Sequence, residues 1–335
     1  MKAMIVGLSG FTLTPQERAF ILMHKPWGFI LFARNIKNAT QVKALTRDLA
    51  AISGRSIVPI FLDQEGGKVQ HLRPPLAPDY PTAAHLGLIY GADHIKGQKA
   101  AWLMSRLHAF DLQRLGINAN CLPLVDVPVA GADEIIGSRA YSDDPMVVTS
   151  MGRAAAEGLM AGGILPVMKH IPGHGRALCD THFALARVEA SLAELSKTDF
   201  VPFKALSHLP VAMTAHIVYE AIDKTWPATL SPKVVNDIIR GALGFDGLLI
   251  CDDLSMKALS GALADLANGA LDAGCDVVLH CNGCLDEMVQ IAAVVPFLKG
   301  KALQRAYNAE GFIRTELGDQ SDEAALRATF WQLME

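Results

Sequence analysis

No stretch of this chain of 335 residues approaches the roughly 18 uninterrupted apolar residues that a membrane span needs. The N-terminus, "MKAMIVGLSGFTLTPQERAF", has one lysine and only a short apolar run. Without an h-region it reads as a first strand, not as a secretion signal. There is no long run of like charge, and the net charge is only -4, which argues against a nucleic-acid partner. No Gly/Ser/Pro linker and no low-complexity segment divides the chain, so one domain over residues 1–335 is expected. G-x-G-x-x-G at a strand-to-helix turn is missing, which weakens an open doubly wound sheet. H-E-x-x-H is missing too, and "CNGC" at 281–284 has no second C-x-x-C to complete a zinc site. That tetrapeptide reads as a strand end and a turn. The expectation is a soluble, cytoplasmic protein, monomeric, with its six cysteines reduced.

What is present is a chain 51% hydrophobic, ample for a large core. Short apolar runs recur at 4–8, 28–33, 57–63, 119–126, 164–170, 211–216, 248–253 and 277–282. Near-continuous apolar runs of this length suit strands buried on both faces of a parallel sheet. Helical patterns lie between most of them. "TPQERAFILMH" carries Thr14 with Glu17 three residues on, the spacing of a capping box. "NATQVKALTRDLAAIS" starts at a plausible Asn38 cap. "SPKVVNDIIRGALG" has Pro232 in its first turn and closes at Gly244. "ALQRAYNAEGFIRTEL" and "DEAALRATFWQLM" read as closing helices. Eight runs with helical crossovers predict a (β/α)8 TIM-type barrel.

The ends of those runs are polar. Arg34 and Asn35, Asp63, Asp126, Lys169 and His170, His216, Asp252 and Asp253, and Asn282 follow or close runs two to eight. In a barrel such C-terminal ends share one rim, where active sites are built.

The densest polar chemistry is "KHIPGHGRALCDTH" at 169–182. Two readings compete there. His170, His174 and His182 are irregularly spaced but present three imidazoles to a metal, as in a zinc-dependent barrel hydrolase. Alternatively Asp180 and His182, two residues apart in an extended segment, face the same way. The carboxylate would then orient the ring and favour its protonated form, making a proton donor. Such a dyad needs a nucleophile, and "LLICDDLSM" offers Asp252 at a strand end. Asp253 then caps a helix beginning near Ser255. A sugar-binding protein without catalysis is the third possibility.

Several segments together break the tie. "KHIPGHGRALCDTH" resembles the K-H-F-P-G-H-G-x4-D-[ST]-H motif of family 3 glycoside hydrolases of the β-N-acetylglucosaminidase type. "GFDGLLICDDLSMKAL" and "LDQEGGKVQHLR" are similar to two more of their segments, and "GFILFARNI" and "IGSRAYSDDP" to two further landmarks. The likeness runs in order from about residue 20 to 283, and points to the single-domain bacterial type that serves peptidoglycan recycling. It implies a retaining exo-enzyme that releases terminal β-linked N-acetylglucosamine from muropeptides of the GlcNAc-1,6-anhydro-MurNAc type, without cofactor or metal. By position it implies Asp252 as nucleophile, His182 as acid/base on a mobile glycine-rich loop, and Asp180 as its partner. Asp63, Arg139, Lys169 and His170 would hold sugar hydroxyls. His71 stands where close relatives carry an arginine that also reaches the sugar; imidazole is shorter and mostly neutral. Lys68 replaces the arginine of E-G-G-R.

Overall fold

The computed structural model describes residues 1–313 and 321–335. Eight strands form one closed parallel barrel: β1 (Lys2–Gly7), β2 (Pro26–Leu31), β3 (Ile60–Leu62), β4 (Ala119–Asn120), β5 (Leu165–Ile171), β6 (Val211–Thr214), β7 (Leu248–Asp253) and β8 (Val277–His280). Each strand pairs with its neighbours in sequence, and β8 closes onto β1 through Met4↔Val278, Ile5↔Leu279 and Val6↔His280. Each of the eight apolar runs overlaps one of these strands. Every residue of β2 and of β5 is buried, as strands covered on both faces require.

The run at 119–126 is mostly not ladder. Only Ala119 and Asn120 form regular strand; the Leu122–Pro123 peptide is cis, and the chain regains β5 by a single bridge, Leu124↔Lys169. Pro123 has no N–H to give to a ladder, although its carbonyl accepts from the Lys169 amide.

The crossover helices start where local chemistry says they should. In Pro15–His24 the Thr14 hydroxyl accepts the Glu17 amide (3.1 Å) and the Glu17 carboxylate accepts the Thr14 amide (2.8 Å), a complete capping box. Asn38 caps Ala39–Ser53 through the Gln41 amide, and Val42, Leu45, Thr46 and Leu49 form its buried stripe at i, i+3, i+4, i+7. The segment expected as an ordinary helix before Gly244 differs. Val234–Ala242 winds as a π-helix, with the Leu243 amide reaching back five residues to the Ile238 carbonyl. The wider turn turns Val234, Val235, Ile238 and Ile239 inward together.

Two insertions sit over the C-terminal rim. After β3, Gln64–Gly66 pairs antiparallel with Val69–Gln70. Their turn uses Gly67 at φ 58, where a side chain would meet Thr82 at 2.6 Å. After β5, residues 172–185 loop across the mouth. Ala186–Val188 then pairs with Ile217–Tyr219, tying the loops after β5 and β6 together. The helix Gly300–Glu310 stops short of the expected span, whose part beyond Ile313 lies outside the described residues. The last helix, Glu323–Met334, docks on His94–Gln113: Phe330 is buried, and Arg327 bonds both Asp111 and the Tyr80 hydroxyl that Asp111 accepts from. Among the described residues no helix is long and apolar enough to cross a membrane.

Candidate active site

The strand ends converge as the sequence predicts. A cavity of about 360 Å³ opens at the C-terminal rim, within the range of small-ligand sites. Asp63, His71, Arg139, Lys169, His170, His182 and Asp252 all line it; Asp180 stands behind His182.

The floor is a buried ion cluster. Lys169 Nζ donates to Asp63 Oδ1 and to Glu65 Oε1, each at 2.7 Å. Arg139 grips Glu65 with two parallel bonds, Nε to Oε2 (2.9 Å) and Nη2 to Oε1 (2.8 Å). Burial works against every charge here, but the mutual attraction is stronger. It holds the Glu65 carboxyl well below its ordinary value and the Lys169 ammonium well above. Glu65, only 5% exposed, is the residue that sequence reasoning missed. Its signal was its place inside "DQEGG", two residues after Asp63 at a strand end.

Lys169 and His170 are successive residues, yet both face the cavity. The register between β5 and β6 shifts between Lys169 and Ile171, and the Lys169–His170 peptide is cis. His170 is oriented from behind: Asp126, fully buried, accepts its ring Nδ1–H (2.7 Å) and its amide (3.2 Å), together with the His174 amide (2.7 Å). Asp126 therefore orients rather than binds.

The three histidines of 169–182 do not point at one spot. His170 is paired with Asp126, His174 Nε2 hydrogen-bonds Thr181 Oγ1 (3.0 Å), and His182 Nδ1 pairs with Asp180 (2.7 Å). Among the described residues no group of three or more His, Cys, Asp or Glu is placed to hold a metal, so this geometry does not support the zinc reading. Burial and the neighbouring His170 lower the His174 pKa to about 4, so it is neutral in ordinary buffers.

The Asp180–His182 pair forms, though not in an extended segment. Asp180 opens a turn whose carboxylate accepts both the His182 amide (2.8 Å) and its ring Nδ1–H. The ring is fixed, and Nε2 has no hydrogen-bond partner among the described residues. Burial nudges the Asp180 carboxyl up, but these bonds outweigh it and its pKa is lowered. The loop is pinned by Thr181, whose carbonyl accepts the Ala258 amide (3.2 Å), and by Gly175, where any side chain would strike the Val127 carbonyl.

Across the cavity, Asp252 Oδ1 accepts the Asp253 amide (2.8 Å), which leaves Oδ2 without a protein donor among the described residues. Burial pushes this carboxyl up; the His216 and His170 rings, that amide and Lys169 outweigh it, and the group is ionised at neutral pH. His216 is buried beneath, bonded to Thr229 and to the Asp253 carbonyl. Asp253 does the structural work expected of it on a different element. It accepts the amides of Ser255 and Cys281 and the Ser255 hydroxyl, closing a turn; no helix begins near Ser255, and the next starts at Leu263.

Other rim residues are supports. Arg34 binds the carbonyls of Leu8 and Cys281, Asn35 those of Leu8 and Gly10, and Asn282 holds Glu287 and the Cys284 amide. His71 lines the cavity with its ring edge-on to Phe32 at 5.3 Å, and burial lowers its pKa, so it meets a ligand as a neutral ring. All six cysteines are free thiols.

This geometry has relatives. A beta-hexosaminidase of Bordetella avium is 36% identical over 282 residues, covering 83% of this chain and 80% of its own length. One from Chromobacterium violaceum is 34% identical over 98% of this chain and 93% of its own. The crystal structure of NagZ from Neisseria gonorrhoeae in complex with N-trifluoroacetyl-D-glucosamine superposes with a TM-score of 0.90 at 29% identity, covering 100% of this chain and 98% of that one. Residues 6–308 match the Glycosyl hydrolase family 3 N terminal domain. With its barrel and its paired Asp–His and Asp groups around one cavity, the chain belongs to glycoside hydrolase family 3, in its β-N-acetylglucosaminidase type.

Proposed function

We propose that this β-hexosaminidase is a retaining exo-β-N-acetylglucosaminidase acting on muropeptide fragments of the GlcNAc-1,6-anhydro-MurNAc type, with Asp252 as nucleophile and His182, held by Asp180, as acid/base. One observation carries the reading. An ionised carboxylate with a free oxygen and an imidazole with one nitrogen already bound line the same cavity.

The chemistry follows from that pair. Asp252 Oδ2 attacks the anomeric carbon while His182 Nε2–H protonates the departing glycosidic oxygen. The carbon–oxygen bond breaks, and a glycosyl ester forms on Asp252. Neutral His182 then takes a proton from water, which attacks the same carbon and releases the sugar with its β configuration kept. Because the enzyme supplies the nucleophile, the acetamido group of the substrate need not attack. Asp63, Lys169, Arg139 and His170 hold the sugar hydroxyls, while Glu65 and Asp126 keep those groups aimed. The N-acylglucosamine bound by the Neisseria relative supports an N-acetylated sugar here.

The whole chain, residues 1–335, acts as one catalytic domain, a cytoplasmic monomer that binds neither nucleic acid nor membrane and uses no cofactor. The test is hydrolysis of N-acetyl-β-glucosaminides against plain β-glucosides, with the disaccharide GlcNAc-anhydro-MurNAc as the third substrate. Rapid release of N-acetylglucosamine from the first and third is the expected result. Preference for β-glucosides, or release of a sugar phosphate when phosphate is added, overturns it.

A further inference from the structure

The proton donor fixes where the leaving group must lie. If Asp252 attacks from within the cavity and His182 protonates the glycosidic oxygen, the departing sugar sits at the mouth, outboard of His182. Two segments frame the mouth there. One is the loop carrying His182; the other is the turn after β7, and the Ala258 amide bonds the Thr181 carbonyl to join them.

Next to His182 stands Phe183, with 70% of its surface exposed. A single exposed aromatic is ordinary on a protein surface. This one adjoins the acid and has the Lys257 ammonium 5.7 Å from its ring centroid. Lys257 itself follows Met256, which lines the cavity. The other cations around the site are engaged: Arg139 by Glu65, Lys169 by Asp63 and Glu65, Arg34 by two carbonyls, Lys68 by the Glu134 carbonyl. Lys257 is exposed and makes no hydrogen bond or ion pair among the described residues.

We propose that Phe183 and Lys257 form the leaving-group subsite, which takes a sugar carrying a carboxylate: the apolar face of the ring packs on Phe183, and the acid pairs with Lys257. This rests on His182 being the proton donor. It adds a preference that the buried floor does not supply, because Asp252, Asp63 and Lys169 see only the glycosyl group. A muramyl sugar, with its lactyl acid, has this chemistry; a second N-acetylglucosamine does not.

The experiment compares kcat/KM for GlcNAc-anhydro-MurNAc with that for its lactyl methyl ester, using N-acetyl-β-glucosaminyl fluoride as a substrate whose leaving group is too small to reach Phe183. An exposed ion pair is worth about a two- to fivefold preference for the acid over the ester at low salt, shrinking in 0.5 M NaCl. Lys257→Met should bring that ratio to about one, and Lys257→Arg should keep it. Phe183→Ala should lower the disaccharide rate relative to the fluoride several-fold, through KM. A ratio unchanged in Lys257→Met, or absent from the wild type, overturns the subsite while leaving the glycosidase reading intact. Failure of the wild type to cleave the fluoride or either disaccharide instead overturns the glycosidase reading, and the subsite with it.

Discussion

Glu65 touches no substrate in the proposed mechanism, yet its replacement should be among the more damaging in the molecule. It accepts two hydrogen bonds from Arg139 and one from Lys169, and all three side chains are buried or nearly so. Glu65→Gln keeps the volume and removes the charge, leaving two buried cations to share Asp63. Removing one partner of a buried ionic cluster typically costs about 3–5 kcal/mol. Unfolding entropy scales with length and comes to about 0.7 kcal/mol/K for a chain of this size, so Tm should fall by about 4–7 °C in calorimetry. Catalysis should suffer as well, since charge-assisted bonds that aim Lys169 and Arg139 are worth about 1.5–3 kcal/mol each; kcat/KM should drop at least about tenfold. The pH dependence gives a second, independent check. The folded Glu65 carboxyl lies below its ordinary value of 4.5, so its contribution to stability is complete above that pH and is lost as the pH falls toward the folded value. Glu65→Gln lacks that contribution at every pH, so the Tm gap between wild type and variant should be constant from pH 8 to about 5 and narrow below about 4.5. A variant that melts within one degree of wild type, or a gap that does not change below pH 4.5, would refute the argument that this cluster holds the sugar-binding groups in place.

Asp252→Ala should lower kcat on the order of 10³-fold or more, because a covalent step is lost; Asp253→Ala should cost much less rate, and a 5-fluoro glycosyl donor should label Asp252 in the peptide containing "CDDLSM" by mass spectrometry. General acid catalysis is worth about 10²–10⁴-fold, so His182→Ala should lose far more kcat/KM on the natural disaccharide than on the 4-nitrophenyl glycoside, whose leaving group needs little protonation. Equal losses of His182→Ala on both substrates point instead to a structural role; Asp180→Asn should move the limb on which the acidic form is lost, the alkaline one, to lower pH by removing a negative neighbour. Thr181→Val breaks the bond to His174 and should reproduce a weaker form of the same leaving-group dependence, whereas Thr181→Ser, which keeps the hydroxyl, should behave like wild type. Exhaustive EDTA treatment should leave activity unchanged, and restoration of a lost activity by zinc alone would overturn the acid/base role of His182.

The barrel was legible because its physics is repetitive. Each strand buried on both faces leaves a near-continuous apolar run, and eight such runs survived every detail of the loops. The misses fall where a local pattern has more than one solution. "SPKVVNDIIRGALG" carries the same apolar spacing for an α- and a π-helix, and the residues buried in the π-helix, Val234, Val235, Ile238 and Ile239, would share a face in either. The aspartate at 253 reads as a cap because Asp often caps helices, but its acceptors were claimed by Ser255 and by the Cys281 amide from the neighbouring strand end, 28 residues away. No window around residue 253 contains that donor.

The site divides along the same line. Groups that work at strand ends were readable one by one, since the barrel brings all such ends to a common rim whatever their order. Groups that work through a partner were not. Glu65 and Asp126 act by holding Arg139, Lys169 and His170 over separations of 74, 104 and 44 residues, and nothing local announces such a pairing. The Asp180–His182 pair sits at the boundary: its members are two apart, yet it is the turn, not an extended chain, that directs one carboxylate oxygen to both the amide and the ring of His182. A histidine fixed twice by a neighbour two residues away can travel with its loop and keep its orientation. A carboxylate acid in the same place would need its environment to raise its pKa, and so would need burial in a fixed wall. His182 stands at the mouth with its side chain 58% exposed and its ring held by the Asp180 carboxylate. In the proposed mechanism a histidine acid on a surface loop therefore does not depend on burial in the barrel wall, as a carboxylic acid would.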